Sequence, residues 1–191
     1  MFEVFFTHVK RIILLTKEEE ETIKLSFAFK KFRKKQYLLQ EGDVCKYMTF
    51  VEKGMLRSYN VDDKGDEHMM QFAWEGWWIS DANSLWTGEP ANFNIDVIED
   101  AEVLTITAAD FEELTVKVPK MERYFRILFQ KNIIAKEKRL MHSISHSAVD
   151  RYVKLSASDP EIIKRVPQNL IASYLGIAPE TLSRIKKTLS N

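Results

Sequence analysis

Near the C-terminal end of this 191-residue chain, Glu180, Thr181, Ser183, Arg184 and Lys187 stand within eight residues, at spacings that gather them on one side of a helix. These residue types suit a nucleic-acid surface. A guanidinium forks onto guanine, a carboxylate accepts from the amino group of cytosine, hydroxyls serve either base, and an ammonium holds phosphate. A second group is aromatic. Trp74, Trp77, Trp78 and Trp86 fall within thirteen residues, with Asp81 among them and Asn92 close behind. Trp74, Trp77, Trp78, Asp81 and Asn92 are the candidate lining of a pocket for a flat, neutral or cationic ligand. The same tryptophans can equally be core, or the contact between a barrel and a helix.

Other chemistry finds little support. Cys45 is the single cysteine, too few for an internal disulfide or a thiolate-built zinc or iron–sulfur centre. His68 is the one histidine inside the strand-rich region, with His8, His142 and His146 outside it, whereas a metal-dependent cupin enzyme needs several histidines and a carboxylate on one ion. There is no Gly-rich phosphate loop, nucleophile elbow or His-Glu-x-x-His motif. Neither an enzyme nor a cofactor or metal is expected.

The elements that must position these residues can be read from the pattern. Residues 167–187 read as two short helices meeting at Gly176, where a tight turn favours a residue without a Cβ. Ala172 is small where the helices cross. Ile171, Leu175, Ile177, Leu182 and Ile185 fill the wedge between them, and Pro179 suits the first position of the second helix. The alternative is a helical hairpin that only caps the fold. In the first half, turn signals at Gly42, Gly54, Gly65, Gly76, Gly88 and Glu99-Asp100 recur every eleven or twelve residues. They predict an antiparallel barrel of roughly eight strands over 30–108. Thr16 and Glu19 have capping-box spacing for a helix before it, and Asp110 caps a short one after it. Pro119 then opens a long helix to about Met141. Its apolar residues, from Met121, Tyr124, Phe125 and Leu128 to Phe129, Ile133, Ile134, Leu140 and Met141, occupy more than one face. A helix packed on its own barrel needs only one apolar stripe, so the second implies a partner subunit, or else a helix wedged between two domains.

The whole chain resembles the Crp/Fnr transcription regulators, most specifically in Leu-Gly-Ile-Ala-Pro-Glu-Thr-Leu-Ser-Arg at 175–184. The resemblance implies an α+β fold. It begins with an N-terminal antiparallel β-barrel (double-stranded β-helix or jelly roll) of the cyclic-nucleotide-binding type, with flanking helices. A long dimerisation helix and a C-terminal helix-turn-helix domain follow. It divides the chain into a sensor (1–118), a dimerisation helix and hinge (119–145) and a DNA-binding domain (146–191). Glu180 and Arg184 match the family's base-reading pair. Pro179 stands where the family often has a further arginine, so the recognised sequence differs, and the wing is expected to be reduced or absent. In the sensor, Asp81 replaces the ribose-binding glutamate and Ala91-Asn92-Phe93 replaces the segment whose arginine neutralises a cyclic phosphate. From Gly65 to Val116 there is no lysine or arginine at all, against twelve acidic residues. A buried phosphate without a cation is costly. Arg57, Arg123 and Arg126 are the cations left to reach inward. Cyclic AMP is therefore not the expected effector, and a constitutive DNA-binding dimer with a scaffold barrel is the alternative.

Net charge is zero, yet residues 1–130 carry −6 and residues 131–191 carry +6, an acidic body with a basic end. The first fifteen residues do not read as a secretory signal, and no apolar run has the length of a membrane span. The expected setting is cytoplasmic. The expected partners are double-stranded DNA with an inverted repeat, a second copy of the chain, RNA polymerase and an unidentified small-molecule effector, with no membrane.

Overall fold

A computed structural model describes residues 1–189; positions 190 and 191, the end of the third expected segment, lie outside the described residues. Helices α1 (Glu3–Lys10) and α2 (Lys17–Leu25) lead into strands β1 (Ala28–Phe32), β2 (Tyr37–Leu39), β3 (Met48–Val61), β4 (Glu67–Ala73) and β5 (Trp78–Ile79). Helix α3 (Ala82–Thr87), strand β6 (Asn94–Ile106) and helices α4 (Ala108–Lys117), α5 (Lys120–Ser145), α6 (Ala148–Ser158), α7 (Pro160–Arg165), α8 (Gln168–Tyr174) and α9 (Pro179–Leu189) follow. The strands form one sheet in the order β1-β6-β3-β4, with β2 on β6 and β5 on β3. β1 and β2 run antiparallel to β6, and β5 antiparallel to β3.

The sheet is antiparallel as expected, but it has six strands among the described residues, not eight. The turns placed at Lys53-Gly54 and Glu99-Asp100 are not turns, because β3 and β6 pass straight through them. Gly54 has φ +91°, and a Cβ there would lie 2.4 Å from the carbonyl oxygen of Asp100. The two turn-like sequences are thus the two sides of one close strand crossing, where only glycine lets the backbones approach. The hairpin at Asp62–Asp66 is real; Asp62 accepts from the amides of Lys64 and Asp66.

By contact density the chain forms two units. The first comprises residues 1–58 and 72–130, and the second residues 59–71 together with 131 onward. The first unit's core gathers Phe5, Phe27, Phe50, Leu56, Trp78, Val103, Leu104, Tyr124 and Phe125. Helix α1 has no side-chain cap of its own. Instead, the buried carboxylate of Glu52, from β3, accepts from the Phe5 amide at 2.7 Å and the Val4 amide at 3.3 Å. Thr16 and Glu19 form the expected capping box of α2. The short helix after the sheet is capped by Thr107, with Asp110 three residues inside it.

Helix α5 runs through both units and outlasts its expected end by four residues. Its apolar residues fall into a buried set and an exposed set. Met121, Tyr124, Phe125 and Leu128 pack into the core of the first unit. Phe129, stacked on Phe125, and Ile133, Ile134, Leu140, Met141 and Ile144 farther along the helix remain exposed. In the second unit Ser147 and Asp150 make a capping box for α6. Leu155, Ile162, Val166, Ile171, Ala172, Leu175, Leu182 and Ile185 form its buried core.

Candidate nucleic-acid interface and sensor interior

Helices α8 and α9 meet at Gly176, whose φ of +65° is left-handed. The chain reverses there through a bond from the Ile177 amide to the Ala172 carbonyl, 3.0 Å. Ala172 is fully buried at the crossing, and Leu182 and Ile185 turn the inner face of α9 into the core. This arrangement leaves Glu180, Ser183, Arg184 and Lys187 exposed on the outer face, with Thr181 half-buried beside them. The Arg184 guanidinium donates to the Thr181 hydroxyl at 3.3 Å, which holds the long side chain along the helix. All five expected residues therefore share one surface. Among the described residues from 146 onward, every regular element is helical.

The five candidate pocket residues do not converge in this way. Trp74 and Trp77 lie together, ring centroids 4.4 Å apart and half-buried. Trp78 is buried among Phe5, Phe27, Phe50 and Phe125, and its indole N–H donates to the Tyr124 hydroxyl. The Tyr124 oxygen also lies 2.9 Å from Nδ1 of His8, and burial pushes its phenol far above the ordinary value. Trp86 is exposed and meets the edge of Phe111. The Asp81 carboxylate is buried and engaged by the backbone: one oxygen caps α3 through the Ser84 amide and the other accepts from the Asn92 amide, each at 3.1 Å. Ala91 is clamped by bonds to Gly42 and Asp43.

The remaining cations do not turn inward either. Arg57 forms a bidentate pair with Asp96, at 2.7 and 2.9 Å, with little of either side chain exposed. Arg123 and Arg126 are exposed, and Arg126 reaches Gln130. The Cys45 thiol is buried, donates to the Tyr47 carbonyl and is pushed up by that burial.

Sequence reading missed the joint between α5 and α6. There the Lys154 ammonium donates to Nε2 of His146 at 2.6 Å and of His142 at 3.3 Å. Arg151 donates to the carbonyls of Ser143 and His146. Histidines at 142 and 146 were visible as an i, i+4 pair, but the lysine that joins them comes from the next helix.

Residues 29–117 match the cyclic nucleotide-binding domain family. Over 161 residues the chain is 25% identical to the probable transcriptional regulator flp of Lacticaseibacillus casei, covering 80% of this chain and 72% of that one. It is 23% identical to the fumarate nitrate reduction regulatory protein of Klebsiella oxytoca, covering 82% and 66%. Over about four fifths of its length the chain is thus similar to transcription regulators. Solved structures share the fold. The c-di-GMP responsive global regulator CLP of Xanthomonas campestris superposes with a TM-score of 0.71 at 14% identity, covering 92% of each chain. FixK2 of Bradyrhizobium japonicum gives 0.70 at 19%, covering 86% of this chain and 84% of that one. Relative to the curated regulators, the chain spans about two thirds to three quarters of their length. No helix among the described residues is long and apolar enough to cross a membrane.

Proposed function

We propose that this Crp/Fnr-type chain binds double-stranded DNA as a homodimer, with α9 in the major groove of each half of an inverted repeat. The observation that carries the reading is the outer face of α9, where Glu180, Ser183, Arg184 and Lys187 stand exposed behind the Gly176 turn. Arg184 reads guanine and Glu180 accepts from cytosine four residues away on the same face, while Lys187 neutralises phosphate. The exposed stripe of α5, from Phe129 to Ile144, supplies the apolar surface for a second copy. On this reading residues 1–118 are the sensor, 119–145 the dimerisation helix and hinge, and 146–191 the DNA-binding domain, acting in the cytoplasm together with RNA polymerase.

The effector is not cyclic AMP. The cation that would face a cyclic phosphate is missing at Ala91, Arg57 is held by Asp96, and the Asp81 carboxylate is occupied by backbone amides. The same observations favour a second reading, a constitutive DNA-binding dimer whose sensor is scaffold. Titrating duplex DNA carrying a selected inverted repeat, with and without a cell extract of small molecules, tests both. Binding in the absence of extract and unchanged by it supports the constitutive reading; binding that needs the extract supports an effector. Absence of binding in both conditions contradicts the DNA-binding proposal.

A further inference from the structure

Helix α8 is gripped from outside the helix-turn-helix by residues of the second unit that no base-reading role accounts for. The Ser173 hydroxyl donates to the carbonyl of Glu67 at 2.6 Å and accepts from the amide of Met69 at 3.0 Å, so the last turn of α8 is bonded to the backbone of β4. Arg139, on α5, lies with its guanidinium 3.9 Å from the centre of the Tyr174 ring. The same guanidinium donates to the carbonyls of Met69 at 3.0 Å, Tyr174 at 3.4 Å, and Met70. A cation on the final carbonyl of a helix is favourably placed, and a planar guanidinium can stack and donate along several directions at once, which an ammonium cannot. Three separate parts of the second unit therefore meet at one side chain: the long helix, the hairpin strand β4 and the first helix of the helix-turn-helix.

We propose that Arg139, with Ser173, is a positioning residue for DNA recognition, clamping α8 onto β4 and so fixing the pose of the helix-turn-helix. The inference rests on the DNA-binding reading above. The clamp engages only the C-terminal turn of α8 and leaves the outer face of α9 uncovered, so it holds the reading helix in an open pose and does not mask it. Because α8 and α9 share the buried Ala172–Leu182–Ile185 core, fixing one fixes the other. A dimer reading two half-sites one helical turn apart, about 34 Å, depends on that pose.

The test compares the full-length protein with Arg139→Ala, Arg139→Lys and Ser173→Ala on a selected inverted repeat and on the same site lengthened by one central base pair. That insertion shifts one half-site by about 3.4 Å and about a tenth of a turn. The wild type is expected to discriminate against the lengthened site at least about tenfold. Arg139→Ala is expected to bind the original site about tenfold more weakly, to lose most of that discrimination, and to keep the wild-type salt dependence, because no phosphate contact is removed. Arg139→Lys is expected to restore little, since it keeps the charge without the stacked fork. In Ser173→Ala, amide exchange at Met69 is expected to accelerate, a readout of the clamp that needs no DNA. Tighter binding by Arg139→Ala, or discrimination unchanged in it, overturns the positioning role. Unchanged Met69 exchange overturns the clamp itself. Failure of the wild type to bind any duplex, with Met69 exchange still responsive, counts instead against the DNA-binding reading.

Discussion

The indole N–H of Trp78 donates to the hydroxyl of Tyr124 across 3.0 Å, in a pocket where both side chains are buried. Indole is a donor only, so the phenol must accept there and can donate its own proton to His8. The bond ties the foot of α5 to β5 in the core of the first unit. Replacing Tyr124 by Phe keeps the ring but strands the Trp78 donor, which is expected to cost about 1–3 kcal/mol in chemical denaturation followed by tryptophan fluorescence. A loss within error of zero would mean that another acceptor takes the indole proton.

The outer stripe of α5 gives the second prediction. Ile133→Glu or Leu140→Glu is expected to shift sedimentation from about twice 22.4 kDa to a folded monomer. Phe125→Glu is expected instead to destabilise the first unit, since Phe125 lies in its core against Trp78 and Phe111. A monomeric wild type at high micromolar concentration contradicts the dimer.

These two sets of residues illustrate what the sequence does and does not disclose. Apolar positions at helical spacing announced that α5 carries more than one stripe, but only packing decides which of them meets the sheet. The α8–α9 pair was legible because its signals are local: Gly176 for the turn, Pro179 for the helix start, Ala172 for the close crossing. The strand count was not, because Gly54 and Asp100 are forty-six residues apart and each looks like a turn until the two backbones are seen to touch. Likewise the capping of α1 by Glu52 and the meeting of Lys154 with His142 join distant segments that no spacing rule connects.

The third prediction concerns pH. His142 is held below its ordinary value of 6.5, first by desolvation and then by the electrostatic influence of Lys154, with smaller contributions from His146 and Lys138. The folded protein thus takes up this proton less readily than the unfolded chain. The contribution to stability is present above the unfolded value and is lost as pH falls through about 6.5 towards the folded one. Lys154→Met is expected to raise the His142 pKa in a histidine-resolved NMR titration. An unshifted titration would remove Lys154 as a cause.

Fourth, calorimetry is expected to find no low-micromolar binding of cyclic AMP. Recruiting Arg57 to a phosphate would require breaking its buried bidentate pair with Asp96 and leaving that carboxylate without its partner. Low-micromolar affinity in the wild type contradicts this, and its loss in Arg57→Met would identify Arg57 as the replacement cation.

The central claim is that the outer face of α9 reads base sequence, and selection from random duplex DNA followed by binding of two variants tests it most directly. The wild type is expected to enrich an inverted repeat. Arg184→Ala is expected to lose about 1–3 kcal/mol on that repeat and to relax the preference at one position of each half-site. Lys187→Ala is expected to weaken all sequences alike and to flatten the salt dependence, because phosphate contacts act through released counterions. Enrichment of no inverted repeat, or the same uniform loss for both variants, would contradict the assignment of this helix to sequence recognition.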